Sequence, residues 1–174
     1  MTRRNLIARD DQPAFDAFVV RSSDRLLRTA FLLSGDHGHA EDLVQTALMR
    51  TAARWSTARR DPDAYARRVV VNLAKDRWRL LRRRFGEAPL EIDVAVPVDE
   101  EGYADRDRLL AATRQLPAGQ RAVLVLRFFD DLSVADTAAA LGCSTGTVKS
   151  QTSRALERLR AALTSEREKS SADR

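Results

Sequence analysis

The chain has 174 residues, of which 44% are hydrophobic and 32% are charged, and its formal net charge is +5. This composition indicates a globular protein of one domain or two small ones, and its arginine-rich segments favour a polyanionic partner. A single cysteine, Cys143, excludes an internal disulfide framework and fits a reducing compartment. The N-terminal residues contain no apolar run long enough for a signal peptide or a membrane span, so we expect a cytoplasmic protein without membrane insertion.

Residues 12–34 place apolar side chains at helical spacing, which predicts one helix or two nearly continuous ones. Gly35 and Gly38 are expected to end this helix and to form a loop. Residues 40–55 then carry one apolar stripe, which predicts a second helix. The opposite face of that helix carries Asp42, Gln45, Thr46, Met49 and Arg50.

Residues 62–84 predict a third helix, which Asp61 can cap and in which Pro62 occupies the first turn. From residue 67 to residue 84, eight cations stand against one anion, which gives a local net charge of +7. A solvated helix usually interleaves acids with its bases, so this crowding indicates a partner that neutralises it. Trp78 lies among these cations and suits contact with single-stranded bases, but a core position explains it equally well.

Residues 86–107 break the helical pattern with two prolines and two glycines, and eight acids against one arginine give them a net charge of −7. This composition predicts an extended acidic linker between two helical domains. Two roles stay open for it, a solubilising spacer and a segment that threads a basic channel in a partner. The polar residues 166–174 are expected to fray.

The second domain is expected to start near residue 108, with two helical stretches on either side of Pro117. The second stretch predicts an amphipathic helix that packs on the element after it. Its apolar face is formed by Ala122, Val123, Leu126 and Phe129.

Residues 132–163 predict two helices joined by a tight turn. Ser133 can cap the first helix and Ser144 the second, while Gly142 stands where a helix ends with positive φ. Ala138 is small enough for a close crossing, so the pattern indicates a helix-turn-helix; a helical hairpin with a solvated face is the alternative. The outward face of the second helix can meet phosphates or base edges with Thr147, Lys149, Ser150, Gln151, Ser153 and Arg154.

No arrangement of residues predicts a catalytic site. His37 and His39 stand close to Glu41 and Asp42, but no second cluster elsewhere completes a metal shell. Phosphate-cradling glycine loops, nucleophile elbows and zinc-finger spacings do not occur. We therefore expect a protein that is not an enzyme and needs no metal or other cofactor.

Taken in order, four stretches of the chain resemble extracytoplasmic-function (ECF) sigma factors, the smallest members of the sigma-70 family. They are LLRTAFLLSGDHGHAEDLVQTALMRTAARW, DAYARRVVVNLAKDRWRLLRRR, LPAGQRAVLVLRFFDDLSVADTAAALG and STGTVKSQTSRALERLRAAL. The resemblance implies an all-α protein with two small helical domains joined by an acidic flexible linker. The implied divisions are region 2 at 1–85, the linker at 86–107, region 4 with the helix-turn-helix at 108–165, and a tail at 166–174.

The resemblance further implies a factor that binds core RNA polymerase, directs it to promoter DNA and helps to open the duplex. By position, the polymerase-binding residues are Asp42, Gln45 and Met49. The residues that recognise the minus-10 element are Asn72, Lys75, Asp76, Arg79 and Arg83, and residues 55–63 resemble a loop that captures a flipped base. The residues that read the minus-35 element are Lys149, Ser150 and Arg154.

The chain departs from many ECF sigma factors at a few positions. Tyr65 stands where many relatives have tryptophan, and Gln151 and Thr152 replace a more basic or more apolar pair, so no relative's promoter preference can be transferred. An anti-sigma factor is a further candidate partner. A helix-turn-helix regulator that acts without polymerase, and an RNA-binding adaptor that uses residues 67–84, are the alternative functions.

Overall fold

The computed structural model describes residues 7–85 and 103–172, and these residues form helices and turns without a strand. The chain divides into two compact units, Met1–Leu81 and Arg82–Arg174. In chain order the α-helices are α1 (Gln12–Ser34), α2 (His37–Ala53), α3 (Trp55–Ala58), α4 (Pro62–Phe85), α5 (Tyr103–Arg114), α6 (Ala118–Leu124), α7 (Val134–Leu141) and α8 (Thr145–Ala172). The predicted all-α class is confirmed.

The turn between α1 and α2 is shorter than the sequence pattern predicts. Gly35 ends α1 in the left-handed region, with φ of 76°, and its N–H donates to the carbonyl of Phe31 at 2.7 Å. Asp36 then caps α2 at once by accepting a hydrogen bond from the His39 N–H at 2.7 Å. Gly38 therefore lies inside the first turn of α2, because the cap next to Gly35 starts the helix before a loop can form.

Two helices in the second half of the chain extend beyond the boundaries that the sequence pattern suggests. α5 begins at Tyr103, so it takes in the last residues of the predicted linker, whose remainder, 86–102, lies outside the described residues. Residues 103–114 contain neither proline nor glycine, and acids near a helix N-terminus favour the helix, so the high acid content concealed its start. α8 likewise continues to Ala172 through part of the predicted frayed tail, where no residue stops it.

An aromatic cluster forms part of the core of the N-terminal unit. α1 packs against α2, and Trp55 at the start of α3 meets the ring of Phe15 edge to face, with centroids 5.2 Å apart. Phe18 lies 6.0 Å from the Trp55 ring and is almost fully buried. The buried apolar side chains of α4 are small, namely Ala66, Val70, Val71 and Ala74.

The C-terminal unit is organised around α8, against which α5, α6 and α7 pack. Between α6 and α7 the chain forms a π-helical segment, Val125–Phe129, in which the Asp130 N–H donates to the Val125 carbonyl at 3.0 Å. This i→i+5 bond widens the turn and rotates the side chains out of the α-helical phase. Phe129 is therefore 47% exposed, and its predicted place on the apolar face of the helix is wrong.

A buried arginine joins two helices of this unit. Arg121 of α6 is 5% exposed, and its Nη1 donates to the main-chain carbonyl of Arg114, the last residue of α5, at 3.1 Å. Burial, and then the positive charge of Arg114, lower the pKa of Arg121. The contact fixes the C-terminus of α5 beside α6 by satisfying one of its carbonyls.

Candidate nucleic-acid interface

The predicted helix-turn-helix is confirmed down to its capping residues. The Ser133 hydroxyl accepts a hydrogen bond from the Asp136 N–H at 3.0 Å and starts α7. Gly142 ends α7 with φ of 64°, and the Ser144 hydroxyl accepts from the Thr147 N–H at 3.1 Å at the start of α8. α7 and α8 are thus each started by their own serine cap and separated by the three residues 142–144.

α8 has a buried face and an exposed face, as the spacing predicts. Val148 and Ala155 are fully buried, and Ala138 of α7 is 6% exposed. The predicted minus-35 residues Lys149, Ser150 and Arg154 are all exposed. The Ser150 hydroxyl donates to the Thr147 carbonyl at 3.0 Å, so its lone pairs remain able to accept from a base edge.

The predicted minus-10 residues share one side of α4, called here the minus-10 face. Asn72, Asp76, Arg79 and Arg83 are exposed and Lys75 is half-buried. Their spacings of three and four residues place them along one helical stripe. Arg79 Nη1 lies 3.3 Å from Asp76 Oδ1, with both side chains about 70% exposed, and so exposed a pair is worth too little to withhold Arg79 from a phosphate.

The count of eight cations on residues 67–84 overstates the charge that α4 presents to solvent. Arg67 is only 9% exposed, so it lies on the buried side of the helix and not on the minus-10 face. A count along the sequence ignores helical phase, and Arg67 stands one residue from Ala66, which is fully buried. Trp78 is half-buried, between the two roles that its sequence context allows.

The predicted polymerase-binding residues also lie on one exposed face, on α2. Asp42, Gln45 and Met49 are three and four residues apart, and all three are exposed. Met49 is 64% exposed, while Leu43, Val44 and Ala47 on the other side of α2 are buried. Methionine is enriched at protein–protein interfaces, so an exposed methionine beside polar side chains is typical of such a surface.

A polar cluster at the start of α4 was not predicted from the sequence. Asp63 Oδ1 accepts hydrogen bonds from the Ser22 hydroxyl and from Arg25 Nη2, each at 2.7 Å, and Asp63 Oδ2 accepts from Arg21 Nη2 at 3.0 Å. We call these four residues the Asp63 clamp. Arg21 and Arg25 are like charges four residues apart on α1, a spacing that calls for a neutralising acid and could have revealed the cluster.

The clamp keeps Asp63 ionised. Burial raises the pKa of Asp63, but the hydrogen bonds from Ser22 and Arg21 and the positive charges of Arg25 and Arg21 together outweigh burial, so its pKa lies below the usual value. The side chain of Asp63 is 23% exposed, whereas those of Arg21 and Arg25 are 60% and 46% exposed. Ser22, in contrast, is 1% exposed, so Asp63 satisfies a buried hydroxyl.

The described residues contain neither a metal-binding cluster nor a membrane-spanning helix. Within residues 7–85 and 103–172, no three histidine, cysteine, aspartate or glutamate side chains come together as a metal site would require. None of the helices in these ranges combines the length and the apolar character needed to cross a bilayer.

Two helical units, one with a basic exposed helix and one with an outward-facing helix-turn-helix, define a nucleic-acid-binding protein. Residues 18–84 match the family described as Sigma-70 region 2, and residues 106–159 match Sigma-70, region 4. The chain belongs to the sigma-70 family and is an ECF sigma factor. Membership makes it a transcription initiation factor.

The relatives span nearly the whole chain. The RNA polymerase sigma-E factor of Streptomyces coelicolor is 45% identical over 150 residues, which are 84% of each protein. The ECF RNA polymerase sigma factor SigM of Mycobacterium tuberculosis is 35% identical over 86% of this chain and 76% of its own length. Among solved structures, the sigma factor RpoE of Bartonella quintana, in complex with the anti-sigma factor NepR, has a TM-score of 0.71 at 28% identity, over 87% of this chain and 97% of that one.

Proposed function

We propose that this chain binds core RNA polymerase and directs it to specific promoters. In this proposal, α4 recognises the minus-10 element and helps to melt it, and the α7–α8 helix-turn-helix reads the minus-35 element. The observation that carries the proposal is the presence of two exposed DNA-type faces in one chain: Asn72, Arg79 and Arg83 on α4, and Lys149 and Arg154 on α8. One face lies in the segment that matches region 2 and the other in the segment that matches region 4.

The two faces suit different forms of DNA. α8 presents short polar side chains and cations on the side opposite a packed helix, which suits a major groove. α4 presents an amide and guanidinium groups that can hold a backbone while a base is unpaired, and residues 55–63 precede it as the proposed base-capturing segment. Asn72 is the proposed base contact, and Arg79 and Arg83 are the proposed phosphate contacts.

Asp42, Gln45 and Met49 of α2 are the proposed contacts with the polymerase. Their support is the exposed face described above, in which an apolar Met49 side chain lies beside an acid and an amide. The proposed domains are region 2 up to residue 85 and region 4 from residue 103, where α5 begins. Because the polymerase performs the chemistry, we propose no catalytic activity and no cofactor for this chain, and a cytoplasmic location.

An anti-sigma factor is the third proposed partner. The support is the Bartonella quintana relative, whose solved structure contains the anti-sigma factor NepR. A protein with this role would abolish promoter-specific transcription when added in equal amount to the purified chain, and additional chain would restore it.

Run-off transcription with purified core polymerase on genomic fragments tests the function. We expect discrete products that appear only when the chain is present, and we expect the Lys149→Ala/Arg154→Ala variant to lose them selectively. The matched control is Arg9→Ala/Arg28→Ala, which removes two exposed cations outside the proposed faces. Failure of the chain to associate with core polymerase, or products that do not depend on it, would leave only a helix-turn-helix regulator that acts alone.

A further inference from the structure

The Asp63 clamp joins two helices that are far apart in the sequence. Asp63 is in the first turn of α4, and its three donors are on α1, 38 to 42 residues earlier. Together they use both oxygens of the carboxylate, so the position of Asp63 on α1 is fixed in distance and in direction. A directional contact of this kind determines how α4 is rotated about its axis, which apolar packing alone does weakly.

The packing of α4 leaves that rotation poorly determined. Up to Ala74, the buried apolar side chains of α4 are two alanines and two valines, and Arg67 is the one long side chain among its buried residues. Small side chains make shallow ridges, so neighbouring rotations of the helix differ little in packing energy. The clamp adds to this packing a contact with a defined direction at the first turn of α4, which favours one rotation over its neighbours.

The rotation matters because the minus-10 face lies on the same helix. Asn72 is nine residues after Asp63, roughly 13 Å along α4, and a helix transmits a rotation at one end to the other. The clamp also fixes the C-terminal end of residues 55–63, the proposed base-capturing segment. The N-terminal end of this segment is held by Trp55 in the aromatic cluster. In its middle, Arg59 Nη1 lies 3.3 Å from Asp11 Oδ1, just before α1.

We infer that Asp63 is a positioning residue for minus-10 recognition: by holding the first turn of α4 on Arg21, Ser22 and Arg25 of α1, it sets the orientation in which the minus-10 face and residues 55–63 meet unpaired DNA. This inference rests on the proposed function of α4. Within residues 55–63, Asp63 is the residue whose side chain is hydrogen-bonded to α1, so it acts through the placement of Asn72 and Arg79 and not by contacting the DNA.

Asp63→Asn is the informative substitution. Both oxygens of Asp63 face donors, so the amide NH₂ of an asparagine always confronts a donor that the carboxylate accepted. Asp63→Glu keeps the charge and both acceptors on a longer side chain and serves as the conservative variant. Asp16→Asn is the matched control, because Asp16 is exposed on α1 and its hydrogen bond is with Gln12 on the same helix.

The test uses holoenzyme reconstituted from the full chain and core polymerase. The probe is a single-stranded oligonucleotide that spans the minus-10 element of a promoter fragment selected by the wild-type holoenzyme. At a temperature where circular dichroism shows each variant folded, we expect Asp63→Asn to weaken oligonucleotide binding about tenfold, which is about 1.4 kcal/mol. We expect affinity for core polymerase and for the upstream duplex to stay within about twofold, and Asp63→Glu to recover part of the loss.

Three outcomes would overturn the inference: unchanged oligonucleotide binding by Asp63→Asn, an equal loss for Asp16→Asn, or a loss that affects core and upstream binding to the same extent. The first two would show that the clamp does not place the DNA face, and the third would show a general structural role. The proposed function fails separately, if wild-type holoenzyme shows no preference for the selected promoter. Weak oligonucleotide binding by Arg79→Ala together with normal binding by Asp63→Asn would contradict the role inferred for Asp63 and leave the proposed function of α4 intact.

Discussion

The two proposed DNA-binding helices differ in how far along the sequence their polar contacts reach. In the C-terminal unit, α7 and α8 are started by contacts between residues three apart, Ser133 with Asp136 and Ser144 with Thr147. In the N-terminal unit, α4 also has a local cap, since Asp61 Oδ1 accepts from the Ala64 N–H at 2.9 Å, but it is attached to α1 as well, through Asp63 across about 40 residues of sequence. The start of the minus-35 helix is thus defined by its own residues, and the orientation of the minus-10 helix is defined by the fold of its whole unit.

This difference corresponds to the task of each helix. A reader of duplex DNA meets a groove of fixed shape, so a rigid local motif is sufficient. A helix that captures unpaired bases binds a single strand, which has many conformations and loses entropy when it is ordered. A helix whose orientation is already fixed adds no further ordering cost of its own. α1 packs against α2, the proposed polymerase-binding helix. Because Asp63 attaches α4 to α1, the proposed DNA-binding helix is connected through α1 to the proposed polymerase contact.

The largest effect is expected from substitutions on the minus-10 face, which test whether α4 contacts DNA at all. Reversing two charges with Arg79→Glu/Arg83→Glu places like charges against phosphates, which should cost several kcal/mol in open-complex formation. Permanganate reactivity of unpaired thymines in the promoter measures the effect. The control is Arg9→Glu/Arg28→Glu, which reverses two exposed cations outside α4. Normal opening by the first variant would remove α4 from the proposed DNA contacts.

The corresponding test on the other unit separates base contacts from phosphate contacts. Lys149→Ala and Arg154→Ala, made singly, should each weaken binding of an upstream duplex by about 1 to 3 kcal/mol if the side chain contacts a base. Fluorescence anisotropy with the native upstream element and a scrambled one measures the loss on each. A loss confined to the native duplex indicates a base contact, whereas equal losses would assign the side chain to phosphates.

Substitution of Gly142 tests whether the turn of the helix-turn-helix depends on the conformation of this single residue, and Gly119 in α6 serves as the control. Gly142 has φ of 64°, so Gly142→Ala forces a side chain into the left-handed region and should lower the free energy of unfolding by roughly 1 to 2 kcal/mol. Gly119 lies in α6, where an added methyl would meet open space, so Gly119→Ala should leave stability unchanged or raise it by up to about 1 kcal/mol. Urea unfolding of the full chain measures both, and equal effects would contradict the role assigned to Gly142.

The same difference explains what could be predicted from the sequence. Ser133, Gly142 and Ser144 were predicted because caps and left-handed glycines act on residues within one turn. The exposed faces of α2, α4 and α8 were predicted because helical spacing alone assigns a side chain to a face. The buried Arg67 was missed because a count of charges along the sequence ignores helical phase. The outward Phe129 depends on a π-helical turn, and the partner of Arg21 and Arg25 depends on pairing across about 40 residues, so tertiary structure sets both.

The smallest expected effect concerns the clamp at low pH. Because the pKa of Asp63 in the folded chain lies below its usual value, about 3.9 in an unfolded chain, its ionised form stabilises the fold. That contribution is complete well above this usual value, starts to fall at about pH 5 and is lost as the pH falls through the folded pKa. Both arginines are largely exposed and their charges are screened, so we expect about 0.5 to 1 kcal/mol at neutral pH.

Urea unfolding of wild type and Asp63→Asn at pH 7 and at pH 3 measures this contribution. The difference in unfolding free energy should be present at pH 7 and should shrink at pH 3, because pH 3 lies below the usual pKa of an aspartate and the unfolded chain there binds a proton that the clamp disfavours in the folded chain. Added salt at pH 7 should reduce the part due to Arg21 and Arg25 but not the hydrogen bond from the buried Ser22 hydroxyl. A difference that is the same at both pH values would show that Asp63 stabilises α4 by its shape, and the long-range attachment of the minus-10 helix would then not depend on charge.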